Sequence, residues 1–107
     1  MRRKKMPDES PASAVTPALD MRLYVANGAP NSLLAVANLA AICKEFLKDN
    51  FKLEVIDVLE QPLRALADGI LVTPSLAKLS PSPAANIVGN LSDKSSVMRA
   101  LGIKLRG

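Results

Sequence analysis

The stretch from Leu23 to Cys43 constrains this chain most, because it contains no charged side chain. Its length and apolar character raise the question of a membrane-spanning helix. Asn27, Gly28 and Pro30 interrupt the stretch, however, and polar groups at such interruptions would lack hydrogen-bond partners in lipid. The stretch therefore argues against a membrane span and predicts two short elements of a folded domain.

The first of these elements is a strand and the second is a helix. Residues 21–26 are rich in strand-forming residues, and turn residues follow them directly. Asn31 or Ser32 is expected to cap the helix, and residues 49–50 are expected to end it. Apolar residues recur at helical spacing along it, namely Leu39, Ile42, Cys43, Phe46 and Leu47.

Residues 51–59 predict a second strand, since they first alternate in polarity and then become continuously apolar. Such a run is typical of a strand that is exposed at its start and buried further on. Two strands joined by a helix of this length predict a βαβ unit, in which the strands pair in parallel. Asp57, near the end of the second strand, is expected to accept hydrogen bonds from nearby backbone groups rather than to act in catalysis.

The second half of the chain predicts shorter elements. A short helix is expected over residues 63–68, with Gly69 at its carboxyl end. Residues 70–79 have the composition of a strand except at Pro74. Proline cannot donate a ladder hydrogen bond, so it indicates an entrance, an edge or a special turn.

A brief strand is expected over residues 86–90, and a last helix over residues 93–101. Ser92 is the predicted cap of this helix. The side chains predicted to face inward are Val97, Ala100 and Leu101.

One cysteine and no histidine exclude several classes of function. The chain cannot form an internal disulfide, and histidine-based metal sites and catalytic triads are impossible. Cys43 is expected to be a buried structural thiol, because no second cysteine or histidine can activate it. A fold that must rest on its core, without a disulfide, is expected in a reducing cytoplasm.

Residues 1–20 predict a disordered tail before a domain that spans residues 21–107. The tail is rich in proline and hydroxyl side chains, and it shows no apolar periodicity. It also holds the basic run from Arg2 to Lys5, within a net charge of +4. Attachment to nucleic acid or membrane through this run is an alternative to a solvated extension. A mildly basic balance does not favour nucleic acid as a partner.

The predicted order of elements resembles the thioredoxin-like superfamily. Ala29–Ser32 occupies the position of a Cys-Pro-x-Cys motif, and Val72–Pro74 occupies the position of the superfamily's cis-proline. Both thiols of the motif are absent.

A narrower resemblance to the KaiB family covers residues 21–101. It rests on the order and spacing of several short motifs: Leu23–Ala26, Pro30–Ser32, Val55–Val58, Pro62, Ile70–Lys78, Pro81–Pro83 and Ile87–Asp93. The resemblance implies a non-enzymatic regulatory protein, without catalytic residues, metal or cofactor, that docks on a KaiC-like hexameric ATPase in timing or stress regulation. The alternative is a thioredoxin-like enzyme, linked to glutathione or another thiol, that acts through Ser32 without the usual cysteines.

The resemblance also implies two folds for one sequence. Residues 21–60 would be shared, while the rest would adopt either the thioredoxin-like order βαβαββα or the ground-state order βαββααβ, found in homodimers and homotetramers. The fold-switch candidates are Pro74, Pro81, Pro83, Gly89 and Asn90.

Charged residues around the second strand are the candidates for partner binding: Lys44, Lys48, Lys52, Glu54, Glu60 and Arg64. The three lysines form either a partner-facing basic edge or a solvated face. The sequence departs from the family pattern at Lys52, Glu54 and Glu60, and also at Ala85, Asn86 and Asn90. These departures put recruitment of a KaiA-type partner in doubt.

Overall fold

The computed structural model describes residues 19–48 and 50–103. Its elements are β1 (Leu19–Val25), α1 (Pro30–Ile42), a π-helical segment (Cys43–Leu47), β2 (Phe51–Asp57), α2 (Pro62–Ala67), β3 (Ser75–Ser80), β4 (Ala85–Val88) and α3 (Lys94–Leu101). Of the two expected folds, the structure therefore has the thioredoxin-like order βαβαββα.

The four strands form one mixed sheet in the order β2-β1-β3-β4. β1 pairs in parallel with β2, which confirms the predicted βαβ unit. On its other side β1 pairs with β3 in antiparallel orientation, and β3 pairs with β4 in the same way. Leu23 lies opposite Val55 on one neighbour and Leu76 on the other, so β1 is the inner strand next to the β2 edge.

β1 places apolar side chains on both faces of the sheet, because successive residues of a strand point in opposite directions. One face packs against α1 and α3 in the larger core cluster. The β1 residues in this cluster are Leu19, Met21, Leu23 and Val25. The other face holds a small cluster of Tyr24, Ile56 and Ala77.

α1 begins without the side-chain cap that the sequence predicts. Its N-cap residue is Ala29, and no side chain accepts a capping hydrogen bond there. Pro30 occupies the first helical position, where its fixed φ and missing N–H fit the geometry of a helix start. The prediction that Asn31 or Ser32 caps this helix is therefore wrong.

α1 ends at Ile42, whereas the sequence predicts a helix that continues to residue 48. The π-helical segment replaces the last part of the predicted helix. Lys48 has a φ of 53° and ends the turn, while residue 49 lies outside the described residues. The predicted apolar stripe is confirmed: Leu39, Ile42 and Cys43 are buried, and Phe46 and Leu47 pack against them.

Several strand boundaries differ from the predictions, and β4 (Ala85–Val88) begins one residue earlier and ends two residues earlier than the predicted range of 86–90. β1 begins at Leu19, inside the segment that we assigned to the tail; residues 1–18 lie outside the described part of the chain. β2 ends at Asp57, and Val55 is 48% exposed, because β2 is an edge strand and not a buried one. β3 starts only at Ser75, directly after the cis Thr73–Pro74 peptide bond.

α3 is capped at both ends. Asp93 is its N-cap, and its side chain accepts a hydrogen bond from the Ser96 N–H, so the prediction of Ser92 is off by one residue. Gly102 ends the helix with a φ of 79°, a conformation that glycine adopts without a steric penalty. Val97 and Leu101 face the core as predicted, whereas Ala100 is half-buried and Met98 takes the third core position.

One charged side chain lies inside the larger core layer. Lys78 is 5% exposed, and it shares a face of β3 with Leu76, which belongs to the larger core cluster. Its Nζ atom lies 3.7 Å from the position that a Cβ atom would occupy at Gly102, just beyond α3. The amine is therefore placed at the negative end of the helix dipole.

Among residues 19–48 and 50–103, no helix is both long and apolar enough to cross a membrane.

Replacement of Asp93 by alanine is expected to destabilise the protein, because the replacement removes the capping acceptor of α3. We expect a lower urea midpoint with an unchanged denaturant slope. Ser92→Ala is the control and is expected to leave the midpoint unchanged. A larger loss in Ser92→Ala than in Asp93→Ala would show that Ser92 is the cap.

Candidate partner-binding surface

The segment of residues 59–72 exposes five large apolar side chains, and a smaller exposed group, Leu33, Leu34 and Val36, lies on α1. The five are Leu59 (67%), Leu63 (80%), Leu66 (68%), Leu71 (89%) and Val72 (51%). Groups of exposed aliphatic side chains indicate interaction sites more often than single ones do. We call residues 59–72 the aliphatic segment.

α2 lies within the aliphatic segment and displays two of its leucines. Pro62 starts the helix at its first position, and Gly69, with a φ of 76°, follows its carboxyl end. Ala65 is the buried residue of α2. Leu63 and Leu66 are three positions apart, so they share one helix face, and that face is turned to solvent.

Five polar side chains connect α2 and the residue after it to the sheet. We call them the polar network: Arg22, Tyr24, Glu54, Arg64 and Asp68. Two N–H groups of Arg64 donate to the two carboxylate oxygens of Glu54, each at 2.6 Å. The Tyr24 hydroxyl donates to Asp68 Oδ2, also at 2.6 Å.

Arg22 lies between these two contacts and joins them. Its Nε atom is 3.6 Å from Glu54 Oε1, and its Nη1 atom is 3.5 Å from Asp68 Oδ2. Two arginines therefore balance two carboxylates where β1, β2 and α2 meet. The hydrogen bond from Arg64 holds the pKa of Glu54 below its ordinary value, and burial, followed by the hydrogen bond to Asp68, raises the pKa of Tyr24.

The structure brings together two of the six predicted partner-binding residues. Glu54 and Arg64 contact each other directly, so their charges are used within the chain. Glu60 is exposed in the turn before α2. The three lysines are also exposed. Lys44 lies in the π-helical segment, Lys48 directly follows that segment, and Lys52 lies near the start of β2.

At the position of the superfamily's thiol motif, the hydroxyl of Ser32 makes a hydrogen bond within the chain. Ser32 is 3% exposed, and its Oγ atom accepts a hydrogen bond from the Ala26 N–H at 3.0 Å. Cys43 lies in the core, as predicted, and burial raises the pKa of its thiol. Asp57 also behaves as predicted, since its Oδ1 atom accepts hydrogen bonds from the backbone of Asn27 and Leu59.

Among the fold-switch candidates, Asn90 is hydrogen-bonded to side chains of the first half of the chain. Its carbonyl accepts a hydrogen bond from Asn38 Nδ2 at 2.8 Å, and its own amide nitrogen is 3.5 Å from Asn31 Oδ1. Gly89, beside it, has a φ of 122°. Pro74 is buried, Pro81 is half-buried and Pro83 is exposed, and the peptide bond before each of them is cis.

Sequence reasoning missed most of this surface. Tyr24 and Arg22 belong to a strand that the sequence does predict, but nothing local shows which residue they contact. The spacing of Leu59, Leu63 and Leu66 is that of a helix face, and such a stripe normally predicts core. No local signal in the sequence shows that Leu63 and Leu66 face solvent, because the burial of Ala65 in their place is seen only in the structure.

The comparison with known proteins agrees with this fold. A family model described as "KaiB domain" matches residues 22–103. The circadian clock protein KaiB3 of Synechocystis sp. is 42% identical over 87 residues, which cover 81% of this chain and 85% of that protein.

Two solved structures resemble the chain over most of its length. The N-terminal domain of Synechococcus elongatus SasA superposes with a TM-score of 0.66 at 26% identity, covering 91% of this chain and 94% of that domain. A chloroplastic thioredoxin z superposes with a TM-score of 0.68 at 22% identity, covering 85% and 81%, and this likeness concerns the fold alone.

The fold is thus a thioredoxin-like α/β domain without the thiols of its motif. The chain belongs to the KaiB family, as its resemblance to that family predicted.

The ionisation of Tyr24 tests the polar network. Because its folded pKa is raised above the ordinary value of 10.0, its contribution to stability is complete below pH 10.0 and is lost as the pH rises through the folded pKa. The chain has one tyrosine and no tryptophan, so the absorbance of tyrosinate reports this group directly.

We expect a titration midpoint above 10.0, and a smaller elevation in Asp68→Asn, which removes the charged acceptor and leaves the burial. A midpoint at the ordinary value in the folded protein would contradict the geometry.

Proposed function

We propose that this chain is a non-enzymatic, cytoplasmic binding protein that docks on a KaiC-like hexameric ATPase in timing or stress regulation. Membership of the KaiB family supports the proposal, since relatives of the chain are named as circadian clock proteins. The observation that carries it is the exposure of the aliphatic segment. A folded domain leaves such a surface open where a partner covers it.

The contacts within the fold count against the enzyme alternative. A thiol-transfer enzyme needs an accessible, activated thiol. Cys43 is buried and its pKa is raised, while the Ser32 hydroxyl accepts a backbone hydrogen bond. Recruitment of a KaiA-type partner at β2 stays outside the proposal, because Arg64 holds the side chain of Glu54 on that strand.

Docking through the aliphatic segment is tested by Leu63→Asp. Burial of one leucine contributes about 1.5–3 kcal/mol, so its loss is expected to weaken binding about tenfold to hundredfold. The measurement is the affinity for the cognate KaiC-type ATPase in the presence of ATP, with size-exclusion chromatography to detect a ring-sized complex.

Leu33→Asp is the matched control, since Leu33 is 60% exposed on α1, outside the aliphatic segment. It is expected to bind like the unmodified chain. Equal losses in both variants would place the interface elsewhere, and the absence of any complex with the cognate ATPase would refute the proposed function.

We also propose that the second half of the chain exchanges with the ground-state order βαββααβ, in homodimers or homotetramers. Contacts that join the halves would have to break, and two of them involve residues after β4: Asn38 to the Asn90 carbonyl, at 2.8 Å, and Lys94 to Glu45, at 3.0 Å. The proposal depends on the family resemblance, and these contacts identify where the exchange can be measured.

Asn38→Ala is expected to lower the population of the thioredoxin-like form relative to the ground state. A hydrogen bond of this kind contributes about 1 kcal/mol, which corresponds to a change of about fivefold in the ratio of the two forms. The ratio is measured from NMR signal intensities at several protein concentrations. Asn86→Ala, an exposed residue of β4, is the control, and an unchanged ratio in Asn38→Ala would show that this contact does not separate the folds.

A further inference from the structure

α2 is held to the sheet by very little apolar contact. The helix has six residues, and Ala65 is the one it buries, while Leu63 and Leu66 point away from the protein. A helix of this length is not stable by itself in water. One buried methyl group does not define how a helix is oriented, so other contacts must fix the orientation of α2.

The polar network supplies contacts of the required kind. The guanidinium of Arg64 and the carboxylate of Glu54 meet through two parallel hydrogen bonds of 2.6 Å, an arrangement that fixes both distance and angle. At the other end of α2, Asp68 accepts from the hydroxyl of Tyr24, whose side chain is almost completely buried. The helix is therefore attached at two points, one to β2 and one to β1.

We propose that the polar network acts as a clamp that sets the orientation of α2 and thereby presents Leu63 and Leu66 to the partner. Glu54 and Arg64 are then positioning residues that satisfy each other within the chain, and not residues that contact the partner. This inference rests on the docking function proposed above. It assigns to the partner a largely apolar groove opposite the two leucines, with no charged group required to meet Glu54 or Arg64.

Charge balance within the network supports this assignment. Arg22 and Arg64 face Glu54 and Asp68, so the four charges cancel inside the chain. A charged partner group placed against either member of the Glu54–Arg64 pair would have to compete with a bidentate contact. The exposed leucines have no such partner within residues 19–48 and 50–103.

A double-mutant cycle of Glu54→Gln and Arg64→Met tests the clamp. Both substitutions keep most of the side-chain volume, and each breaks the same bidentate contact. If the contact fixes α2, each single variant is expected to weaken ATPase binding about twofold to fivefold, as for other solvent-exposed ion pairs, and the double variant is expected to be no weaker than either single one. Arg99→Met, which removes an exposed charge from α3 outside the network, is expected to bind normally.

The second readout does not involve the partner. Release of α2 would expose Tyr24. In Arg64→Met, the ionisation midpoint of this single tyrosine is therefore expected to fall towards 10.0. Amide hydrogen exchange of residues 62–68 is expected to become faster in the same variant. An unchanged midpoint together with unchanged exchange in Arg64→Met would overturn the clamp. Additive losses of affinity in the cycle would also overturn it, because they would show that the two residues contact the partner separately.

These readouts separate the clamp from the proposed function. If the unmodified chain forms no complex with the ATPase, the docking function fails, and the tyrosine titration and amide exchange still decide whether the network holds α2. If Arg64→Met does not fold, Glu54→Gln carries the same test, since it leaves the arginine and the shape of the strand side chain in place.

Discussion

The fold depends on β1, which pairs on both sides and carries apolar side chains on both faces. Its parallel pairing with β2 and antiparallel pairing with β3 fix the middle of the sheet. Its odd-numbered residues from Leu19 to Val25 support the layer of α1 and α3, and Tyr24 supports the opposite face beneath α2. Since both layers rest on the same strand, the larger core and the partner-binding surface cannot be arranged independently.

Local signals in the sequence predicted the βαβ half well, because helical periodicity and turn residues act over a few positions. The same signals could not choose between adjacent caps: Ser92 and Asp93 are both good N-cap residues, and only the path of the backbone selects Asp93. They also could not show that β2 is an edge strand. An apolar pair such as Val55 and Ile56 has the same composition at an edge as in the middle of a sheet, and only the sheet order exposes Val55.

The candidate surface was less accessible from the sequence, because its contacts span long separations along the chain. Glu54 and Arg64 were recognised as important charges, yet their mutual contact depends on how α2 returns to β2. Tyr24 and Asp68 are separated by 44 positions, and no local pattern links them. The exposed leucines were hidden for the opposite reason, since a leucine stripe predicts burial and only the structure shows that nothing in the described chain covers it.

The buried amine of Lys78 couples β3 to α3. An ammonium group inside an apolar layer is costly in free energy unless polar groups compensate it, and here the end of α3 approaches it. Displacing α3 alone would remove that compensation while leaving the charge enclosed. Displacing β3 alone would separate the ammonium group of Lys78 from the carboxyl end of α3, which compensates its charge. The two elements are therefore expected to leave this arrangement together, as one cooperative unit, and not in separate steps.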